Sequence, residues 1–238
     1  MKSESPPAMT PPPRRAINRC LCLFAALLAV AGGERAAAQS VSVRAMALRS
    51  GEMPEVYLRT KDNHELLAWS DRQPGEVVRA LRANPLPLFK EGVDAEGKPA
   101  FVPDRRVPVP AGANGILLLG WNAGQDIRYV AIEDNFAAAR FNHWLFVNTS
   151  KRPVAFQVGD KTKPLLLAPG VSTTHRIGAP AGEGVTVRAE APFKGKAKEF
   201  FSTYWPVQAD KRTVVLLVDE GAKIRVKRIS DKLAAAKP

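Results

Sequence analysis

The side chains able to do chemistry are few and widely spaced. The three histidines are His64, His143 and His175. No two stand two or four residues apart, the spacings that put imidazoles on one face of a strand or helix and prime a metal site. His64 falls in the turn-like Lys61-Asp62-Asn63-His64, where a solvated side chain is expected. His143 opens an apolar segment beside Trp144, and His175 closes another. Nucleophilic hydrolysis needs a serine on a sharp turn beside a histidine base. There is no G-x-S-x-G, and Ser150, Ser172 and Ser202 lie in ordinary strand or loop contexts. Glu133-Asp134 and Asp219-Glu220 are carboxylate doublets. Neighbours on a strand point to opposite faces, so neither doublet is an acid/base couple by itself. A hydrolase would have to assemble its site from distant residues. Phosphate loops and dinucleotide fingerprints are absent, so no cofactor and no metal site is expected.

The cations carry the stronger signal. In Lys223-Ile224-Arg225-Val226-Lys227 a period of two sets three positive charges on one face, with Ile224 and Val226 on the other. Arg228 follows, and Lys211-Arg212 lies a short way upstream. Lys194, Lys196 and Lys198 repeat the alternation around Gly195 and Ala197, thin packing that reads as a mobile basic loop. Together these nine residues form a candidate patch for a polyanion: an acidic polysaccharide, lipopolysaccharide phosphate or a cell-wall polymer. A solvated sheet face is the competing reading. Trp69, Trp121, Trp144 and Trp205 invite a carbohydrate reading, with Phe200-Phe201 and Tyr204-Trp205 the densest aromatic cluster. In a small β-sandwich such residues belong mostly to the core. Trp121, between Gly120 and Asn122, is the expected exposed exception.

The elements that must position these residues are short and β-like. Val41, Val43, Ala45 and Ala47 alternate, as do Val154, Phe156 and Val158, the period of a half-buried strand. Ile116-Leu117-Leu118-Leu119 and Val214-Val215-Leu216-Leu217-Val218 are continuous apolar runs suited to strands covered on both sides or central in a sandwich. Turn signals such as Pro74-Gly75, Pro169-Gly170 and Asp219-Glu220-Gly221 separate the segments. The chain also repeats itself. Pro108-Val109-Pro110-Ala111 recurs as Pro206-Val207-Gln208-Ala209, and Ile132-Glu133-Asp134 as Ile229-Ser230-Asp231. With Pro54 matching Pro153 and Leu66-Leu67 matching Leu165-Leu166, the offsets drift from 99 to 97 residues and indicate two copies of one fold rather than one fused sandwich. About seven strands per copy are expected on the immunoglobulin-like plan. Residues 39–136 form copy one and 137–238 copy two, with Asn135–Arg140 a linker or one helical turn.

Lys2, Arg14, Arg15 and Arg19 precede an apolar run over 20–31, followed by Ala36-Ala37-Ala38. That order reads as a cleaved signal peptide over 1–38 and a secreted or periplasmic protein, the run being too short for a transmembrane anchor. Both cysteines, Cys20 and Cys22, would leave with it. The remainder would be stabilised by apolar burial without disulfides, and cysteine-based metal or nucleophilic chemistry is excluded from it. The formal net charge is +12. It is unevenly shared: residues 39–134 hold twelve Lys and Arg against thirteen Asp and Glu, and 135–238 hold eighteen against eight. The two copies therefore face different surroundings. A basic patch can also take nucleic acid, but none is expected for an exported chain.

The segment Phe141-Asn142-His143-Trp144-Leu145-Phe146-Val147-Asn148-Thr149-Ser150, with Pro153-Val154 and Leu167-Ala168-Pro169-Gly170, resembles the opening of small secreted bacterial immunoglobulin-like β-sandwich domains. A looser likeness is to the periplasmic accessory protein of alginate O-acetylation, which has a signal and two β-domains. The resemblance covers about thirty residues of copy two and, more faintly, 43–69 of copy one. It implies an all-β, non-enzymatic binding or scaffold module of the cell envelope, with a protein or an acidic envelope component as partner. The alternatives are a carbohydrate-binding or polysaccharide-modification accessory role, and the hydrolase with a distributed site.

Overall fold

Sixteen strands form among the described residues, and apolar alternation marks those whose two faces meet different environments. The computed structural model describes residues 39–233, so the proposed signal peptide and its cysteines lie outside the described residues. Copy one comprises β1 (Ser40–Ala47), β2 (Tyr57–Arg59), β3 (His64–Leu66), β4 (Val78–Leu81), β5 (Leu86–Val93), β6 (Pro99–Val107), β7 (Gly115–Ala123) and β8 (Asp126–Glu133). Copy two comprises β9 (His143–Asn148), β10 (Val154–Val158), β11 (Leu165–Leu167), β12 (Ser172–Arg176), β13 (Gly184–Phe193), β14 (Lys196–Pro206), β15 (Lys211–Glu220) and β16 (Lys223–Lys232). A single 3₁₀ turn, Phe136–Ala138, joins them. Among the described residues no helix is long and apolar enough to cross a membrane.

Each copy is a β-sandwich of two four-stranded sheets. The orders are β4-β1-β7-β8 over β3-β2-β5-β6, and β12-β9-β15-β16 over β11-β10-β13-β14, so the second copy repeats the first strand for strand. In both, the first strand runs parallel to the seventh, β1 beside β7 and β9 beside β15. There are eight strands per copy rather than about seven. β3 and β11 are three residues each, too short to leave a legible period in the sequence. Copy one closes over Val43, Leu58, Leu88, Ile116 and Leu118. Copy two closes over Trp144, Phe146, Phe156, Val187 and Trp205.

A third apolar cluster lies between the copies. The first sheet named for each packs against its counterpart, with Leu117, Leu119 and Ile132 meeting Val214, Leu216 and Ile229. The hairpin pairs Ala123–Asp126 and Glu220–Lys223 match at an offset of 97, so these six residues are equivalent positions of the two copies. The repeated sheet packs on its own image, as a twofold dimer interface does. The result is four layers, an outer sheet on either side of two central ones. Both apolar runs are explained by this: on β7 and β15 the even and odd positions alike are buried, one set in a sandwich core and the other in the junction. Each fully buried aliphatic side chain there contributes about 1.5–3 kcal/mol.

One end of the junction is closed by charge. Arg44 on β1 donates to Asp231 from Nη1 at 2.9 Å and from Nη2 at 2.8 Å, and from Nη2 to Asp134 at 2.7 Å. Arg212 on β15 donates from Nε to Asp231 at 2.9 Å, and its Nη2 stands 2.7 Å from Asp134 Oδ1, an ion pair not aligned as a hydrogen bond. All four side chains are at most 5% exposed. The Phe136 ring lies 3.6 Å from the Arg44 guanidinium carbon, closing the quartet from the linker side. Burial alone would lower the pKa of Arg44. The hydrogen bond and charge of Asp231, with the charge of Asp134, outweigh it and leave the pKa raised. Asp134 and Asp231 are equivalent residues, whereas Arg44 and Arg212 come from different strands. Copy two has Leu145 where copy one has Arg44, and copy one has Gly115 where copy two has Arg212.

Candidate anion-binding site at the junction

At the other end of the central sheets the hairpin tips part and leave two recesses. The first encloses about 570 Å³ between Trp121 and Arg128 of copy one, Lys151 and Arg152 of copy two, and Arg49. Trp121 and Arg128 are cross-strand partners on β7 and β8, so they share a face, the one turned to the junction. Trp121 is half-buried, its far side packed against the junction cluster. Lys151 and Arg152 come from the turn that follows β9, where Asn148 and Ser150 hold the backbone. Asn148 Nδ2 donates to the carbonyls of Arg152 and Leu167, and Ser150 Oγ donates to Asn148 Oδ1. Asn148 and Ser150 are thus buried turn-builders.

The recess holds one carboxylate among four cations. Asp219 accepts the Lys151 backbone N–H at 2.9 Å and lies 3.9 Å from Arg152, while Arg49 Nη2 donates to the Asp219 carbonyl at 3.0 Å. Arg49 thereby reaches from one copy to the other. The second recess, about 450 Å³, shares Arg49 and Asp219 but adds Asp71, Glu220, Arg225 and Lys227, so its charges balance. Asp71 accepts from Ser50 Oγ. That bond first, helped by the Lys227 charge and opposed by desolvation, holds its carboxyl below the usual range. Burial lowers the Lys227 pKa, with Asp71 opposing the shift and Arg225 adding to it.

The nine cations proposed from sequence do not form one patch. Lys223, Arg225 and Lys227 do lie on one face of β16, but it is the face that also carries Ile229 and Asp231, turned to the junction. Arg225 is paired with Glu220 at 3.2 Å, and Lys227 is half-buried beside copy one. Arg212 is corrected outright: at 2% side-chain exposure it is a member of the buried quartet and offers nothing to a polymer. Lys211 pairs with Lys232 at the far end of the β15–β16 hairpin, away from Lys223. Arg228 turns to the copy-two core, its guanidinium 5.7 Å from the Trp205 ring and bonded to the Pro206 carbonyl. Burial lowers its pKa. Lys196 and Lys198 lie on β14 and Lys194 in the two-residue turn before it, at the tip of a paired hairpin rather than in a mobile loop, on the outer sheet of copy two.

The aromatic residues divide as their surroundings require. Trp144 and Trp205 are core, their rings 5.8 Å apart. Trp69 packs 5.8 Å from Tyr129 and leans over Gly120, where any Cβ would stand 2.8 Å from its ring. Trp121 alone lines the basic recess, so there is no row of coplanar exposed tryptophans among the four. His64 differs from its expectation. It is stacked 4.4 Å from Phe101 and edge-on to Phe89 at 4.7 Å, at the start of β3. Burial, then the nearby Arg59, lowers its pKa. His143 and His175 sit on the paired strands β9 and β12. Among the described residues no three His, Cys, Asp or Glu side chains are placed to hold a metal ion.

Arg49, Arg128, Lys151 and Arg152 were not singled out in the sequence. The available signal was Lys151-Arg152 beside a turn, a pair of charges with no apolar partner positions. No protein-family model matches the chain, and no curated protein matches it.

Proposed function

We propose that the chain is a non-enzymatic binding module of the secreted or periplasmic compartment, a pair of immunoglobulin-like domains joined back to back, whose junction takes a segment of acidic polysaccharide. The observation that carries this reading is Trp121 flanked by Arg49, Arg128, Lys151 and Arg152 in one recess. A sugar ring can lie against a half-exposed indole, while carboxylate, sulfate or phosphate substituents take paired N–H donors from guanidinium groups. The single acid present, Asp219, is already engaged with the turn that bears the lysine and arginine. This reading keeps the polyanion expected from charge and moves it from copy two alone to the seam of both copies.

Retention on an acidic-glycan matrix tests it. Replacing Arg128, Lys151 and Arg152 by Gln should abolish retention at physiological salt and flatten its salt dependence, since exposed charges are screened over about 8 Å there. Trp121→Ala should weaken binding to the glycan but leave binding to a sugar-free polyphosphate intact. Equal retention of the triple variant would defeat the proposal. So would a loss seen only on replacing Lys223 and Arg225, which would return the site to β16.

A further inference from the structure

The β13–β14 hairpin outruns the sandwich that it serves. Ala191 is the last buried residue of β13, and all eight residues from Pro192 to Glu199 are exposed. The strands nevertheless stay in register to the tip, with Ala191 opposite Lys198, Pro192 opposite Ala197 and Phe193 opposite Lys196. Lys194 and Gly195 close the turn with φ of 50° and 76°, the two-residue geometry that follows the natural twist of a hairpin. A Cβ on Gly195 would meet nothing within 4 Å, so the tip stands free.

At the last paired position is a phenylalanine that the core does not claim. Phe193 is 51% exposed, and cations surround it, with Lys198 Nζ 5.0 Å and Lys194 Nζ 5.6 Å from its ring centroid. The fold does not demand this arrangement. The equivalent arm of copy one, β5–β6, turns through Asp94-Ala95-Glu96-Gly97, with Asp94 Oδ1 accepting the N–H groups of Glu96 and Lys98. That tip is acidic and capped by itself, while its copy-two counterpart is aromatic and basic.

We propose that the β13–β14 arm docks on the surface of an anionic lipid bilayer, with Phe193 entering the headgroup region and Lys194, Lys196 and Lys198 paired with lipid phosphates. The tip is convex, so it cannot enclose a small ligand. The headgroup region accepts an aromatic ring and cations side by side. A soluble polyanion would account for the lysines and leave Phe193 without a role. The proposal is separate from the junction recess, because the arm belongs to the outer sheet and the recess to the central ones.

Co-sedimentation of the exported protein, freed of residues 1–38, with vesicles tests it. Binding is expected to vesicles of equal parts phosphatidylcholine and phosphatidylglycerol, and none to phosphatidylcholine alone. Each Lys→Gln change among the three should lower the partition coefficient about fivefold. Phe193→Ser should lower vesicle binding while leaving retention on soluble acidic glycan unchanged. These side chains are exposed, so near-ultraviolet circular dichroism should match the parent and exclude misfolding. Vesicle binding that survives the triple Lys→Gln change overturns the proposal. Binding unaffected by Phe193→Ser also overturns it, and would make the arm a site for soluble polyanions.

Discussion

Removing Arg44 should weaken the whole protein far more than any surface charge would. Arg44→Met keeps the apolar stem of the side chain but leaves Asp134 and Asp231 facing Arg212 alone, a buried excess of one negative charge at one end of the junction. Removing one partner of a buried ion pair costs about 3–5 kcal/mol, most of it the desolvation of the charge left behind. Total stability for such a chain is on the order of 5–15 kcal/mol, so the loss is a large fraction of it. At about 2–4 °C per kcal/mol for a unit of this size, the melting temperature should fall on the order of 10 °C. The effect should not depend on pH near neutrality. A raised pKa means that Arg44 contributes fully below its unfolded value, far above neutrality, and loses that contribution only as pH rises through the still higher folded value. The double variant Arg44→Met with Asp231→Leu restores charge balance, leaves the Arg212–Asp134 pair, and should recover much of the loss. Urea melts of parent, single and double variants supply the thermodynamic cycle. If Arg44→Met costs less than about 0.5 kcal/mol, the range of an ordinary surface substitution, then the quartet is hydrated in solution and the reasoning fails.

Two further outcomes follow from the same structure. Expressed apart, residues 39–136 and 137–238 each keep a sandwich core but expose one side of the junction cluster and two of the four quartet charges. The halves should therefore associate when mixed, read as a gain in amide dispersion and in sedimentation; two monomers that ignore each other would show the junction to be dispensable. His64 titrates below its ordinary 6.5 because burial and Arg59 disfavour the imidazolium. Its contribution to stability is present above pH 6.5 and lost as pH falls through the folded pKa. A nuclear magnetic resonance titration should place the His64 midpoint below 6.5, and His64→Leu should remove that share of acid sensitivity. An unshifted midpoint would mean that the stack with Phe89 and Phe101 opens in solution.

Strand content and duplication were legible along the chain because both are one-dimensional properties. Alternation at Val154, Phe156 and Val158 reports that one face is buried, and β10 buries those three residues. The recurrence of Ile132-Glu133-Asp134 as Ile229-Ser230-Asp231 marked equivalent strands, which the shared sheet order bears out. Even the double coverage of β7 and β15 was foreshadowed by unbroken apolar runs. What covers their second face was not, because a period of two separates the sides of a sheet without saying which meets solvent. Lys223, Arg225 and Lys227 share a face as the period requires, yet that face turns to the other copy. Arg212 and Asp231 read like any surface charges until Arg44, 187 residues from Asp231 in sequence, is brought to 2.9 Å. The basic recess has the same origin. Trp121 and Arg128 are ordinary residues of one hairpin, Lys151 and Arg152 of a turn in the other copy, and only the packing of one central sheet on its image makes them neighbours. Local pattern reflects the burial of a residue. Partners are chosen by tertiary packing, where the energy of a buried charge depends on groups that the chain places far apart.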